Sequence, residues 1–395
     1  MSDWIEEFIA KTTSIRSPEI FRLWSAIGTV AAALERRVWT STDVAPLYPN
    51  LFTILVGPPA CGKTNSVKES RKMLAPITGM KLGPDNPTPA SFMDELSKAT
   101  VFGLNGQNSG PSAAMTVLCE EFGVLIPKYD DSFFATLSKL YDNPSMYTAP
   151  RRTSVSIKIE NPTINILGCA TPPAIGSLPE SAWGEGCTSR IIFLYGTKPN
   201  SHRDAFKKRI DSDMKELQNR ISEIFSDIHG EFEWEEPARL AYNHWYNDEQ
   251  MAPVPTYGRL VNYNGRRDTH VMKLSMISAV SAEHGLTITL DDFIRGRKWL
   301  LDAEQTMPDV FRAITQKSDA QLLQDLHYWM YTEYSKVARD KRNPIPDGEV
   351  WKFLENKTTS DKIPGLFKAA ESSGRMRKNF GTNSWIPNPF NGVEE

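Results

Sequence analysis

Residues 51–64 read Leu51-Phe-Thr-Ile-Leu-Val-Gly-Pro-Pro-Ala-Cys-Gly-Lys-Thr64, a short apolar run ending in G-x-x-x-x-G-K-T. The apolar run predicts a buried strand over Leu51 to Val56, and the glycine-bearing turn predicts a loop feeding a helix that starts near Gly62. In that setting the loop's backbone N–H groups and the helix N-terminus make a concave anion site. The residues Gly57, Pro58, Pro59, Ala60, Cys61, Gly62, Lys63 and Thr64 are therefore expected to hold a nucleoside triphosphate. Lys63 would reach the β- and γ-phosphates, and the Thr64 hydroxyl would ligate Mg²⁺.

Hydrolysis needs two further groups: an acid behind the metal and a base for the attacking water. The segment Met115-Thr-Val-Leu-Cys-Glu-Glu-Phe-Gly123 offers both, as an apolar strand ending in adjacent carboxylates. By position Glu120 sits behind the metal and Glu121 polarises the water, so ATP and Mg²⁺ are the expected cofactors. Glu at the first position departs from the commoner Asp, and its longer side chain must fold differently to reach the metal shell.

Downstream, the strand Thr163 to Cys169 ends in Ala170-Thr171-Pro172-Pro173. P-loop ATPases of this plan use a polar residue at that strand tip to contact the γ-phosphate or the lytic water. Thr171 is the candidate, with Asn165 nearer the strand start as the alternative. Arg190, in Cys187-Thr-Ser-Arg-Ile-Ile-Phe-Leu194, stands at the mouth of another strand. It is either a finger for the γ-phosphate of a neighbouring subunit or the partner of a local carboxylate such as Glu185. Finally, Gly265-Arg266-Arg267-Asp268 precedes the apolar helix Val271 to Ala282. Arg266 or Arg267, at the start of such a lid helix, would close over the nucleotide.

The alternation of strand-like and helix-like segments over residues 51–197 predicts an α/β sheet. Its surroundings divide into an N-terminal helical segment (1–50), the ATPase core (51–200), a helical lid (201–317) and a C-terminal unit (318–395). The last begins with a helix from Ala320 to Val337, continues with two more near Gly348–Leu354 and Asp361–Ser373, and closes with a hairpin-like tail, a winged-helix-like layout. With 395 residues, 40% of them hydrophobic and 24% charged, the chain has ample material for such cores. A formal net charge of −3 argues against a uniformly basic nucleic-acid coat but leaves room for local basic surfaces. The cysteines Cys61, Cys119, Cys169 and Cys187 form no C-x-x-C pair, so buried free thiols in a reducing compartment are expected rather than a zinc site. The acidic start lacks the features of a signal peptide, and the apolar stretch Ala26 to Leu34 is far shorter than a membrane span. A cytoplasmic protein with no membrane partner is expected.

Taken together, the helix start Ser17-Pro-Glu-Ile-Phe-Arg-Leu-Trp24, Leu47-Tyr-Pro-Asn-Leu-Phe52, the two nucleotide motifs and the Ser189-Arg190-Ile-Ile-Phe193 strand carry a resemblance. They resemble the ATPase domain of phage and plasmid replicative helicases, including the helicase halves of viral primase-helicases. The segment from Arg266 to Ser275 is similar to the lid region of AAA+ relatives such as minichromosome-maintenance helicases. The resemblance covers about residues 15–310, and it implies a P-loop NTPase sheet of AAA+ or RecA-like kind. It further implies a ring, commonly a hexamer, that hydrolyses ATP between subunits and moves along single-stranded DNA. The setting would be phage or mobile-element replication in a host cytoplasm, with replication proteins such as a primase as partners. No primase or zinc-binding segment is recognisable here, so a fused primase activity is not implied.

In ring helicases of this plan a hairpin between the Glu-Glu strand and the following strand projects into the channel. Here Arg151, Arg152 and Lys158, with Tyr141 and Tyr147 alongside, would bind DNA phosphates and stack a base. From Lys336 to Phe380 there are 11 Lys and Arg against 6 Asp and Glu, so the C-terminal unit is locally basic. Arg375, Arg377 and Lys378 on the wing, with Lys357, Lys362 and Lys368 near the second of its two later helices, would contact duplex DNA. The alternative function is an ATP-switched DNA-binding protein or helicase loader that unwinds nothing.

Overall fold

Phe52–Val56 (β1) is a strand with every residue buried, and a computed structural model of the chain shows it as an interior strand of a five-stranded sheet. The structure describes residues 3–85, 87–101, 110–125, 131–149, 156–178, 182–183, 186–199, 211–337, 341–355, 363–379 and 381–389. The other strands of this sheet are Thr100–Val101 (β2), Ser112–Cys119 (β3), Pro162–Ala170 (β6) and Ile191–Tyr195 (β7). Between β3 and β6 in the chain, Met146–Ala149 (β4) and Ile157–Glu160 (β5) pair antiparallel as a separate hairpin. Across the sheet the order is β2-β3-β6-β1-β7. Four strands are parallel and the edge strand β2 is antiparallel, so the sheet is mixed and the fold is α/β.

All nine residues of β6 are buried, as befits a parallel strand covered on both faces. Much of that cover comes from Glu19–Leu34 (α2), which starts where Ser17-Pro18-Glu19 predicted. Twelve of its sixteen residues are buried, which makes it an internal helix rather than a one-sided surface helix. It packs against β6, the loop-exit helix Lys63–Leu74 (α3), and the later helices Asp211–Asp227 (α6) and Arg267–Ser281 (α7). Trp4–Lys11 (α1), Pro89–Lys98 (α4) and Asp131–Tyr141 (α5) complete the helices that the argument uses.

The chain divides into two compact units, Met1–Phe311 and Arg312–Glu395. The helix expected to begin at Ala320 is instead part of one 46-residue helix, Leu290–Ser335 (α8). Pro308 lies inside that helix, and from there to Ser335 no Gly or Pro interrupts it. In the second unit the end of α8, Asp347–Glu355 (α9) and Ile363–Ser372 (α10) pack with a three-stranded antiparallel sheet. Its strands, Ile345–Pro346 (β8), Met376–Lys378 (β9) and Ser384–Pro387 (β10), lie in the order β8-β10-β9. Leu326, Met330, Val350, Leu354, Ile363 and Trp385 are among the buried residues of that core.

All four cysteines are free and buried, as expected. Burial pushes the Cys119 thiol up to about 12 and the Cys187 thiol up to about 11, and it holds Cys169 well above the ordinary thiol range. Among the described residues no helix is long and apolar enough to cross a membrane.

Candidate functional site

At the end of β1 the chain turns through residues 57–62 into α3, whose first helical residue is Lys63. Two glycines are obligatory here. A Cβ on Gly57 would lie 2.2 Å from the Gly196 carbonyl oxygen, and one on Gly62 would lie 1.8 Å from that of Arg16. Gly62 also has φ +94°, where an L side chain is strained. Ala60, at the exposed tip, holds φ +63° without being glycine, a strained position of the kind that marks functional loops. The Lys63 ammonium folds back, donating to the carbonyls of Gly57 (2.7 Å) and Pro58 (2.8 Å), and lies 3.6 Å from Cys61 Sγ. No acidic residue occupies the first turn of α3, so nothing there offsets the positive end of its dipole. A loop with a resident lysine at the N-terminus of a twelve-residue helix is suited to binding phosphate.

The register of the parallel strands sets what faces this loop. Val56 pairs with Ala170, Leu55 with Cys169, and Cys119 with Gly168. The Gly57 amide donates to the Ala170 carbonyl at 3.2 Å. Thr171, Glu120 and Glu121 follow their strands at this same carboxyl-end edge, where open α/β sheets take ligands. The Thr171 side chain makes no capping hydrogen bond to the short helix it precedes. Glu120 is exposed and pairs with Lys68 of α3 at 3.5 Å. Glu121 is exposed and has no ion-pair partner among the described residues. Thr64, half-buried in the first turn of α3, and the exposed Glu120 are the two oxygen donors expected to hold a magnesium ion, and both belong to this edge. Such a pair suits that ion, which takes one or two protein oxygens and fills the rest with water and phosphate. Among the described residues no group of three His, Cys, Asp or Glu could hold a metal by itself. Asn165 sits elsewhere. It is buried toward the start of β6, accepting from the Leu51 amide at 3.0 Å, so it secures the strand rather than facing the loop.

The residues Arg16 and Ser17 were not anticipated. Asn65 of α3 donates to the Arg16 carbonyl at 3.1 Å, and Ser17 and Ser66 share a 2.7 Å hydroxyl hydrogen bond. The segment before α2 is thus fastened alongside the phosphate loop, with the Arg16 side chain exposed and in no ion pair among the described residues. No local pattern announces this, because the contact joins positions 49 apart.

Arg190 and Arg266 occupy the opposite edge. Ile191 pairs with Phe52 at the start of β1, so Arg190 precedes the amino end of its strand. Five residues of strand, roughly 17 Å, separate it from the phosphate loop of its own chain. Arg190 is buried, donating Nε to Asp142 Oδ1 (3.2 Å), Nη2 to Asp142 Oδ2 (2.5 Å) and Nη1 to the Gly186 carbonyl (2.6 Å). Its carboxylate partner is therefore Asp142; Glu185 lies outside the described residues. Arg266 donates to the same Asp142 at 3.0 Å and is a third exposed. Arg267 is fully buried, in a fork of hydrogen bonds to both oxygens of Glu304 (2.6 and 2.7 Å). It also donates to the carbonyls of Met251 and Pro253. The pair expected at a lid thus separates into one arginine near the surface and one committed to the core.

Below Asp142 the polar groups are fixed. Lys273 is buried, donating to the Asn50 carbonyl (2.9 Å) and side chain (2.8 Å), with its ammonium 3.9 Å from the centre of the Tyr141 ring. Burial holds its pKa well below the ordinary lysine value. Asn143 donates to Asn50 Oδ1 at 2.7 Å and accepts from Thr163 at 2.9 Å. A cavity of 620 Å³ opens beside this group, lined by Asp142, Arg266, Lys273, Tyr242, Tyr246 and Leu47 among others. It shares no lining residue with the phosphate loop.

Of the expected DNA contacts, Lys158 is exposed on β5, opposite Thr148. Arg151 and Arg152, in the connection between β4 and β5, lie outside the described residues. Tyr147 is half-buried and its hydroxyl is 3.1 Å from that of Thr136. Tyr141 is a core residue, packed edge-on against Phe52, and is not free to stack on a base. In the second unit Arg377 and Lys378 are exposed on β9, Lys368 is exposed on α10, and Arg375 is half-buried. Lys357 and Lys362 lie outside the described residues. Comparison of the chain with protein-family models finds no matching family, and comparison with characterised proteins finds no significant match.

Proposed function

We propose that the chain is an ATP-hydrolysing P-loop ATPase of AAA+ or RecA-like kind that works as a ring DNA helicase or translocase. The observation that carries this reading is the split of polar groups between two edges of one sheet. The phosphate loop, Glu120, Glu121 and Thr171 share the carboxyl-end edge, while Arg190 and Arg266 meet at the other. A site divided in this way is completed by a second copy packed head to tail, and such contacts generate rings when they close. The β4–β5 hairpin with exposed Lys158 supports a DNA-facing element. Three helices and a three-stranded sheet with exposed Arg377 and Lys378 support a winged-helix-like DNA contact in the second unit.

In this reading the loop amides take the phosphates, and Lys63 exchanges the Gly57 and Pro58 carbonyls for β- and γ-oxygens. Glu121 accepts a proton as the water oxygen bonds to the γ-phosphorus and the bond to the ADP oxygen breaks. Thr171, at the strand tip, orients the water or the γ-phosphate. An arginine from the neighbouring copy offsets the charge that develops on the transferred group. Thr64 and Glu120 would hold Mg²⁺, which when bound neutralises charge on the β- and γ-oxygens.

The test is ATP turnover with and without single-stranded DNA. Lys63→Ala should abolish nucleotide binding, and Glu121→Gln should keep binding while slowing hydrolysis by roughly a hundredfold or more. DNA-stimulated turnover unchanged by Lys63→Ala would sink the reading. A second reading is an ATP-switched DNA-binding protein or helicase loader without unwinding activity; the pairs Lys68–Glu120 and Arg190–Asp142 would give it a resting state whose release follows nucleotide binding. Strand displacement on a forked duplex separates the two, since a loader hydrolyses ATP without displacing a strand.

A further inference from the structure

The group around Asp142 has a chemistry beyond its position. Arg190 grips both carboxylate oxygens and Arg266 grips one of them, so a single carboxylate neutralises two guanidinium groups. Asp142 is the exposed member of its stretch, with a side chain 43% accessible, between the buried Tyr141 and Asn143. Both neighbours are anchored. The Tyr141 carbonyl accepts from Asn50 and from Asn143, and Asn143 is tied to Thr163. The carboxylate is thus the replaceable part of a fixed frame. Two guanidinium groups converging on one oxyanion present more N–H donors than a carboxylate fills, and phosphate carries more acceptor oxygens in a geometry that arginine matches. The 620 Å³ cavity lined by Asp142 and Arg266 gives an incoming group room to approach.

We infer that Arg190 and Arg266 form a phosphate-binding site that Asp142 fills in the isolated chain, and that the terminal phosphate of a nucleotide carried by a second copy displaces Asp142. The inference rests on the ATPase reading above and adds its regulation. The two arginines act as one site, and Asp142 is an internal competitor that keeps it closed until a nucleotide-loaded neighbour arrives. No bond is made or broken in the exchange; one ion pair replaces another.

The experiment measures ATP turnover per chain as protein concentration rises, for the full-length wild type, Asp142→Asn, Asp142→Glu, Arg190→Ala and Arg266→Ala. Each variant's unfolding midpoint is recorded to establish that it folds. Wild-type turnover should rise with concentration as copies meet. Asp142→Asn, which lacks the competing charge, should reach half-maximal turnover at a several-fold lower concentration. Asp142→Glu keeps that charge and should lie close to wild type. Arg190→Ala and Arg266→Ala should each lower the plateau at least tenfold. Mixing Lys63→Ala chains, whose arginines are intact, with Arg190→Ala/Arg266→Ala chains should restore turnover that neither shows alone.

An unshifted midpoint in a folded Asp142→Asn protein overturns the competitor role. A plateau unmoved by Arg266→Ala overturns the joint site, and absence of recovery in the mixture overturns the second copy as the source. Titration of inorganic phosphate into Asp142→Asn/Lys63→Ala protein covers the other source. Saturable binding there, without recovery in the mixture, assigns the site to free phosphate and overturns the inter-copy exchange. Concentration-independent wild-type turnover also overturns the inference while leaving the ATPase reading standing, whereas no turnover at any concentration removes that reading itself.

Discussion

Arg266 and Arg267 are adjacent in sequence, yet they predict opposite outcomes on substitution. Arg267 is fully buried with its charge balanced by Glu304. Arg267→Ala leaves that carboxylate buried and unpaired, which should cost about 3–5 kcal/mol in denaturant unfolding. Arg266 is a third exposed, and its pair with Asp142 is screened by solvent, so Arg266→Ala should stay within about 1 kcal/mol of wild type. Arg16 gives a second test. Its carbonyl lies against Gly62 and Asn65 beside the loop, and its side chain is exposed. Under the proposed ATPase reading, removing this cation with Arg16→Ala should weaken ADP and ATP alike, roughly three- to tenfold, in a direct binding titration. A loss confined to ATP would place the residue by the γ-phosphate instead. The motif residues Gly57 to Thr64 were readable because their chemistry is local. The partners Asp142 and Glu304, 48 and 37 positions from their arginines, are set by tertiary packing that one sequence does not display.

At the scale of elements, apolar runs located the strands β1, β3, β6 and β7 to within a few residues, and the proline-marked entry at Ser17-Pro18-Glu19 located α2. The sheet order was not readable, since the insertion of β6 between β1 and β3 depends on long-range pairing. The long helix α8 runs through the boundary expected near residue 318, for a physical reason. The residues around Thr315 to Asp319 contain no Gly or Pro, so they continue a helix as readily as they end one. The second unit has a core of its own, and Leu354 is fully buried within it. Leu354→Ala should destabilise that unit by about 2–5 kcal/mol. Because the two units are separately compact, hydrogen exchange should show the loss in Arg312–Glu395 and leave amide protection in β1 and β6 unchanged.

For the molecule as a whole, two buried groups should shape stability against pH in opposite senses. His270 stacks on Tyr263 beside Lys273, Arg266 and Arg267, and burial pushes its pKa down to about 3 from an ordinary 6.5. Its folded form holds fewer protons than the unfolded chain, so stability is complete above pH 6.5 and is lost as pH falls toward 3. Glu35 is raised to about 7 from 4.5 by burial, although Arg37 lies 3.3 Å away. Its contribution is complete below pH 4.5 and is lost as pH rises through 7, by on the order of 3 kcal/mol. Glu35→Gln should flatten the unfolding free energy between pH 4.5 and 7, and His270→Phe should flatten it below 6.5. A Glu35→Gln protein with an unaltered pH profile would refute the first assignment.

The four buried thiols have a practical consequence at this scale. With Cys61, Cys119, Cys169 and Cys187 enclosed, and three of them reluctant to ionise, the folded chain offers maleimide reagents almost no thiolate. A cysteine placed at exposed Lys158 or Arg377 would then be the one site that labels quickly, in a chain whose native cysteines are all left in place. Fluorescent or spin probes at those two positions would report directly whether the hairpin and the second unit meet DNA during turnover.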